Sequence, residues 1–100
     1  MIDGTYKIEV RNMIGPKGGK ATLQTDGDKA IIDIDMPVLG KQHAEGQLEG
    51  ENGFSAQGSF GLFLIGKVRY KLRGEVKGDT MHTLIKSNRG FFDIAGKRVS

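Results

Sequence analysis

Cysteine and tryptophan are absent from this chain of 100 residues, and proline occurs twice. The lack of cysteine excludes a disulfide scaffold and every thiolate metal site. No apolar run approaches the ~18 residues that a membrane-spanning helix requires. No block of about five like charges occurs, so a charged interaction tail is not indicated. The first residues, Met1-Ile2-Asp3-Gly4, do not place a basic segment before an apolar one. No secretory signal is therefore read, and a cytoplasmic location is expected. Helical periodicity is also nearly missing.

Alternation of period two takes its place. Residues of one face, mostly apolar or glycine, recur at every second position in eight runs: Tyr6, Ile8, Val10; Ala21, Leu23, Thr25; Ala30, Ile32, Ile34, Met36; Gln42, Ala44, Gly46, Leu48; Phe54, Ala56, Gly58, Phe60, Leu62; Val68, Tyr70, Leu72, Gly74, Val76; Met81, Thr83, Ile85; and Phe92, Ile94, Gly96. Such a pattern predicts strands with one buried and one solvated face, hence an antiparallel sheet. Turn signals fall between the runs at intervals of about 8–12 residues, which marks an all-β sandwich or barrel. Asp26-Gly27-Asp28 and Gly78-Asp79 tolerate positive φ. Face parity selects three-residue connections at Glu51-Asn52-Gly53, with Gly53 left-handed, and at Pro37-Val38-Leu39. A weak repeat relates Gly46-Gln47-Leu48-Glu49-Gly50-Glu51 to Gly74-Glu75-Val76-Lys77-Gly78-Asp79, which implies a repeated hairpin. The expected fold is therefore all-β: one domain, residues 1–100, forming a small antiparallel up-and-down barrel of about eight strands with no open edge. The glycines on inner faces (Gly46, Gly58, Gly74, Gly96) fit strongly coiled strands or plain turn and bulge chemistry.

In such a barrel the hairpin tips alternate between two rims. One rim collects the short acidic turns. The other collects Met13-Ile14-Gly15-Pro16, Met36-Pro37-Val38-Leu39-Gly40, Gly61-Leu62-Phe63-Leu64-Ile65-Gly66 and Arg89-Gly90-Phe91-Phe92. Apolar tips gathered at one rim point to a subunit interface, to the mouth of an apolar pocket, or to a plug that folds inward.

Gly4-Thr5-Tyr6 opens the first run and Arg98 closes the last, both at the acidic rim. This resembles the calycin-like barrels, the lipocalin and avidin group. There, Gly-x-Trp opens the first strand and an arginine from the final strand packs across the ring. Tyr6 stands here in place of the tryptophan, and the chain looks most like the compact bacterial lipocalin-like barrels. The resemblance implies binding of a small apolar molecule.

Residues able to do chemistry are few. Asp33, Asp35, Lys41, His43 and Glu45 cluster, with Asp33 opposite His43 and Asp35 opposite Lys41, but on the face expected to be solvated. Ordinary cross-strand charge pairing accounts for them. His43 and His82 lie on separate strands without ligand spacing, so no metal site is assigned. Gln57-Gly58-Ser59-Phe60-Gly61 lacks the first glycine of a nucleophile elbow. Gly15-Pro16-Lys17-Gly18-Gly19-Lys20 lacks the order of a phosphate-binding loop. The row Lys67, Arg69, Lys71, Arg73 could follow phosphates, but Tyr70 points the other way and no aromatic interleaves it. It reads as a solvated strand edge.

A non-catalytic role is expected: binding a small apolar ligand, self-assembling through the apolar tips as a homo-oligomer, or both. The candidate residues are Met13, Met36, Val38, Leu39, Leu62, Phe63, Leu64, Phe91 and Phe92 at the apolar rim. Gln42 and Tyr70 on the inner wall could add polar contacts. No catalytic residue, metal or cofactor is assigned. The alternatives are a small enzyme or enzyme accessory subunit with a site at the barrel mouth, and, with less support, a nucleic-acid-binding barrel.

Overall fold

Alternating runs of this kind bury a side chain only if a second wall faces the first, and a meander of eight achieves that by closing on itself. The computed structural model describes residues 2–12, 18–37, 40–62, 66–88 and 90–100, apart from the side chains of 60–62. The strands are β1 (Gly4–Val10), β2 (Gly18–Asp26), β3 (Lys29–Met36), β4 (Gly40–Glu49), β5 (Gly53–Leu62), β6 (Gly66–Lys77), β7 (Thr80–Ser87) and β8 (Gly90–Arg98). Each pairs antiparallel with the next, and β8 returns to β1 to close an up-and-down barrel. No helix occurs among the described residues. Connections therefore alternate between rims. The polar rim carries the β2–β3, β4–β5 and β6–β7 turns; the other, the apolar rim, carries the four remaining connections.

Tyr6, Leu23, Ile32, Phe54, Val76, Met81 and Ile94 are buried on the inner face, as the alternation requires. Each such side chain contributes roughly 1.5–3 kcal/mol. The parity argument also places cross-strand partners: Asp35 faces Lys41 and Asp33 faces His43, with residues 37–39 connecting β3 to β4.

Two expectations need correction. The β4–β5 connection is three residues long, but Glu49 pairs with Gly53, so the loop is Gly50-Glu51-Asn52. The left-handed residue is Gly50, at φ 72°, and not Gly53. Both registers satisfy parity, and either can place a glycine at a strained position. The basic row on β6 is also not a strand edge, since β6 is laddered to β5 on one side and to β7 on the other. In a closed barrel its cations gain nothing from edge protection.

One seam is weakly held. The β3–β4 ladder runs from Lys29–Gln47 to Met36–Gly40, and the β5–β6 ladder from Gly53–Glu75 to Leu62–Gly66. Between β4 and β5, among the described residues, only Gln47–Ser55, Leu48–Phe54 and Glu49–Gly53 pair. All three lie beside the polar rim. Gly46 marks where the ladder ends. A side chain on Gly46 would run into the Ser55 carbonyl and stand 2.7 Å from Ala56 Cβ, so only glycine lets β4 pass this close to β5.

Candidate functional site: an apolar cavity behind a short ladder

The polar rim is stoppered from inside. Ile2 and Tyr6 are fully buried. Tyr6 Oη donates to the Ile2 carbonyl at 2.8 Å and accepts from Arg98 Nη2 at 2.7 Å. The Arg98 guanidinium lies 5.3 Å from the centre of the Tyr6 ring, within cation–π range. These contacts follow from register, because Tyr6 and Arg98 are direct partners on β1 and β8. Asp3 fastens the N-terminal residues to β2, accepting from the Thr25 backbone N–H at 2.9 Å and from its hydroxyl at 3.0 Å. Ile2 lies outside every alternating run, and no pattern in the sequence marks it as a stopper.

Toward the apolar rim the described residues leave part of the interior open. A cavity of about 40 Å³ is bounded by Ile32, Ile34, Gln42, His43, Ala44, Tyr70, Leu72, Ile85, Ser87 and Phe92. Its lining is mainly aliphatic and aromatic, with Gln42 and the Tyr70 phenol as polar contributors. Burial pushes the Tyr70 phenol above its ordinary pKa, so it stays protonated at neutral pH. A space this size admits a few waters; a drug-sized ligand needs about 300–1,000 Å³. Any larger guest must widen the barrel. The β4–β5 seam is where widening breaks the fewest ladder bonds, since the Gly40–Gly46 stretch of β4 bounds the cavity and makes no ladder pair with β5.

Three of the candidate residues, Gln42, Tyr70 and Phe92, meet at this cavity. Met36 is a buried wall residue, packed beside Gly19. Phe91 points outward and is 56% exposed, while Phe92 next to it points in. Leu62 pairs through its backbone with Gly66, and its side chain lies outside the described residues. Met13, Val38, Leu39, Phe63 and Leu64 also lie outside them.

The Asp33–His43–Glu45 cluster sits on the outer face. His43 Nδ1 is 2.6 Å from Asp33, and its Nε2 is 3.1 Å from Glu45. The hydrogen bond to Asp33, followed by that to Glu45, raises the His43 pKa. The His43 bond, with help from Lys29, lowers that of Glu45. A carboxylate on each nitrogen favours the doubly protonated ring over the neutral form that would act as a base. The second histidine, His82, pairs with Asp93 at 2.7 Å. No group of three metal-ligating side chains occurs among the described residues.

Comparison with known proteins gives no match to a family model, a curated protein or a solved structure. What the chain defines is a class of fold, an eight-stranded antiparallel closed barrel.

Proposed function

We propose that this barrel is a non-catalytic, lipocalin-like binder of a small apolar molecule, which enters at the apolar rim by parting β4 from β5. One observation carries the reading: an apolar cavity lies beside the seam whose ladder is the shortest in the barrel. The stoppered polar rim supports it by closing that end to entry. The Arg98–Tyr6 stack supports the lipocalin-like comparison, since a final-strand arginine lies over a first-strand aromatic. The engaged nitrogens of His43 argue against an enzyme built on the outer cluster.

The test is thermal unfolding with a panel of alkyl alcohols, fatty acids and small aromatic compounds. A ligand present at about 100 times its Kd stabilises the folded state by about 2.7 kcal/mol. In a domain of this size, that raises the melting temperature by about 10–20 °C. The Ala44→Leu variant fills the cavity and should lose the shift while remaining folded. Absence of any shift across the panel for the wild-type protein refutes the reading.

A further inference from the structure

We propose that the part of the β5–β7 outer face nearest the apolar rim docks the protein on an anionic lipid surface. Lys67, Arg69 and Lys71 project outward from β6, and Lys86 from β7. Lys71 and Lys86 are direct cross-strand partners. Like charges opposed in this way destabilise a sheet, and successive cations on β6 stand only about 6.6 Å apart. Their β5 partners, Gly61, Ser59 and Gln57, carry no charge. None of the four cations forms an ion pair among the described residues.

The acids on this side of the barrel are already engaged: Glu45, which lines the same groove as Lys71 and Lys86, holds Lys29 and His43, and the others lie closer to the polar rim. Glu75 holds Lys77, Asp79 holds Arg98, and Asp93 holds His82. Glu49 lies in the field of Arg73. The remaining positive field is therefore concentrated toward the rim whose connections are apolar in sequence, with Phe63-Leu64-Ile65 following β5. Phe91, directly opposite Lys86 on β8, adds an exposed ring at the same level.

Cations beside the exposed Phe91 ring, at a rim whose connections are apolar in sequence, suit a surface of anionic headgroups over hydrocarbon. A single-stranded nucleic acid would need several stacking rings among the cations. Among the described residues, Phe91 at the margin is the one exposed aromatic beside this patch, and Tyr70 faces inward. The proposal deepens the ligand-binding reading by naming a source, a lipid bilayer that presents acyl chains at the entry rim. The docking itself rests on the charge arrangement and is tested apart from the cavity.

The experiment is co-sedimentation with vesicles of phosphatidylcholine alone and of equal parts phosphatidylcholine and phosphatidylglycerol. Wild-type protein should partition onto the anionic vesicles only and be released at about 1 M salt, where the Debye length is about 3 Å. Removing one charge should weaken partitioning about fivefold, so Lys71→Gln/Lys86→Gln should lose about 25-fold. Its unfolding transition should be no lower than that of the wild type, because an opposed pair of like charges has been removed. The Ala44→Leu variant should sediment as the wild type does, so failure of ligand binding and failure of docking give different results. Equal partitioning onto both vesicles, an unaffected double variant, or retention of a single-stranded oligonucleotide without binding to anionic vesicles would each overturn the proposal.

Discussion

Gly74→Ala tests why the inner wall carries glycine at all. Gly74 sits on β6 opposite Phe54 of β5 and Thr83 of β7. A Cβ at this position would strike the edge of the Phe54 ring, 2.8 Å from Cε2, and would stand 2.6 Å from Thr83 Oγ1. Neither neighbour can swing away: Phe54 is 1% exposed, and Thr83 is β-branched and 3% exposed. Overpacking of this kind costs about 1–3 kcal/mol. For a domain of this size each kcal/mol lowers the melting temperature by about 4–8 °C. Phe54→Leu alone should also destabilise, through lost ring contacts, by part of the ~3–5 kcal/mol that a buried Phe→Ala costs. The two changes compensate in space, because the shorter side chain vacates the volume that the new methyl needs. The double variant Gly74→Ala/Phe54→Leu should therefore be more stable than the sum of the single effects implies, with a coupling of about 0.5–3 kcal/mol. Urea titration of the four proteins measures it. Strict additivity, or a Gly74→Ala variant as stable as wild type, would mean that the glycine serves backbone bending and not the Phe54 ring.

Much of this architecture could be read before any coordinates, for a specific reason. Parity of side chains is a property of the backbone, so once Ile34 and Ala44 must both face in, Asp33 and His43 must both face out, and a three-residue connection makes them partners. The repeat is legible for the same reason. In both copies an inner-face glycine, Gly46 or Gly74, precedes by four residues a hairpin glycine of positive φ, Gly50 or Gly78. Parity also separates Phe91 from Phe92. What it does not encode is how far a ladder extends. The residues of β4 alternate as regularly beside the unladdered part of the seam as beside the laddered part. The ladder ends where Gly46 passes close to the Ser55 carbonyl, a contact between residues whose patterns look ordinary. The cavity was only half legible: Gln42 and Tyr70 stand out as polar residues at inward positions, whereas the role of Ala44 depends on which wall it faces across the barrel. The stopper was not legible, because Ile2 is held by one hydrogen bond to a phenol and by the closure of the rim around it.

Two further predictions rest on single polar groups. Thr83 Oγ1 is buried without a hydrogen-bond partner among the described residues, so Thr83→Val removes an unsatisfied group with little change of shape. It should stabilise the protein by about 1 kcal/mol, or about 4–8 °C in melting temperature; a destabilised variant would show that the hydroxyl is satisfied. The Asp33–His43–Glu45 trio predicts a pH window. The folded state raises the His43 pKa above 6.5, so the charged ring's contribution is fully present below pH 6.5 and is lost as pH rises through the raised value. The folded state lowers the Glu45 pKa below 4.5, so its contribution is present above pH 4.5 and is lost as pH falls through the lowered value. Both contributions coexist between pH 4.5 and 6.5. The stability difference between wild type and His43→Gln should be largest there and should shrink on either side. The trio is exposed and screened by solvent, so the difference should be small and should diminish further with added salt. Melting temperatures of the two proteins across pH 4 to 9 (about half-unit steps) measure it. A difference that grows as pH rises beyond the raised His43 value would contradict a ring whose protonated form both carboxylates favour.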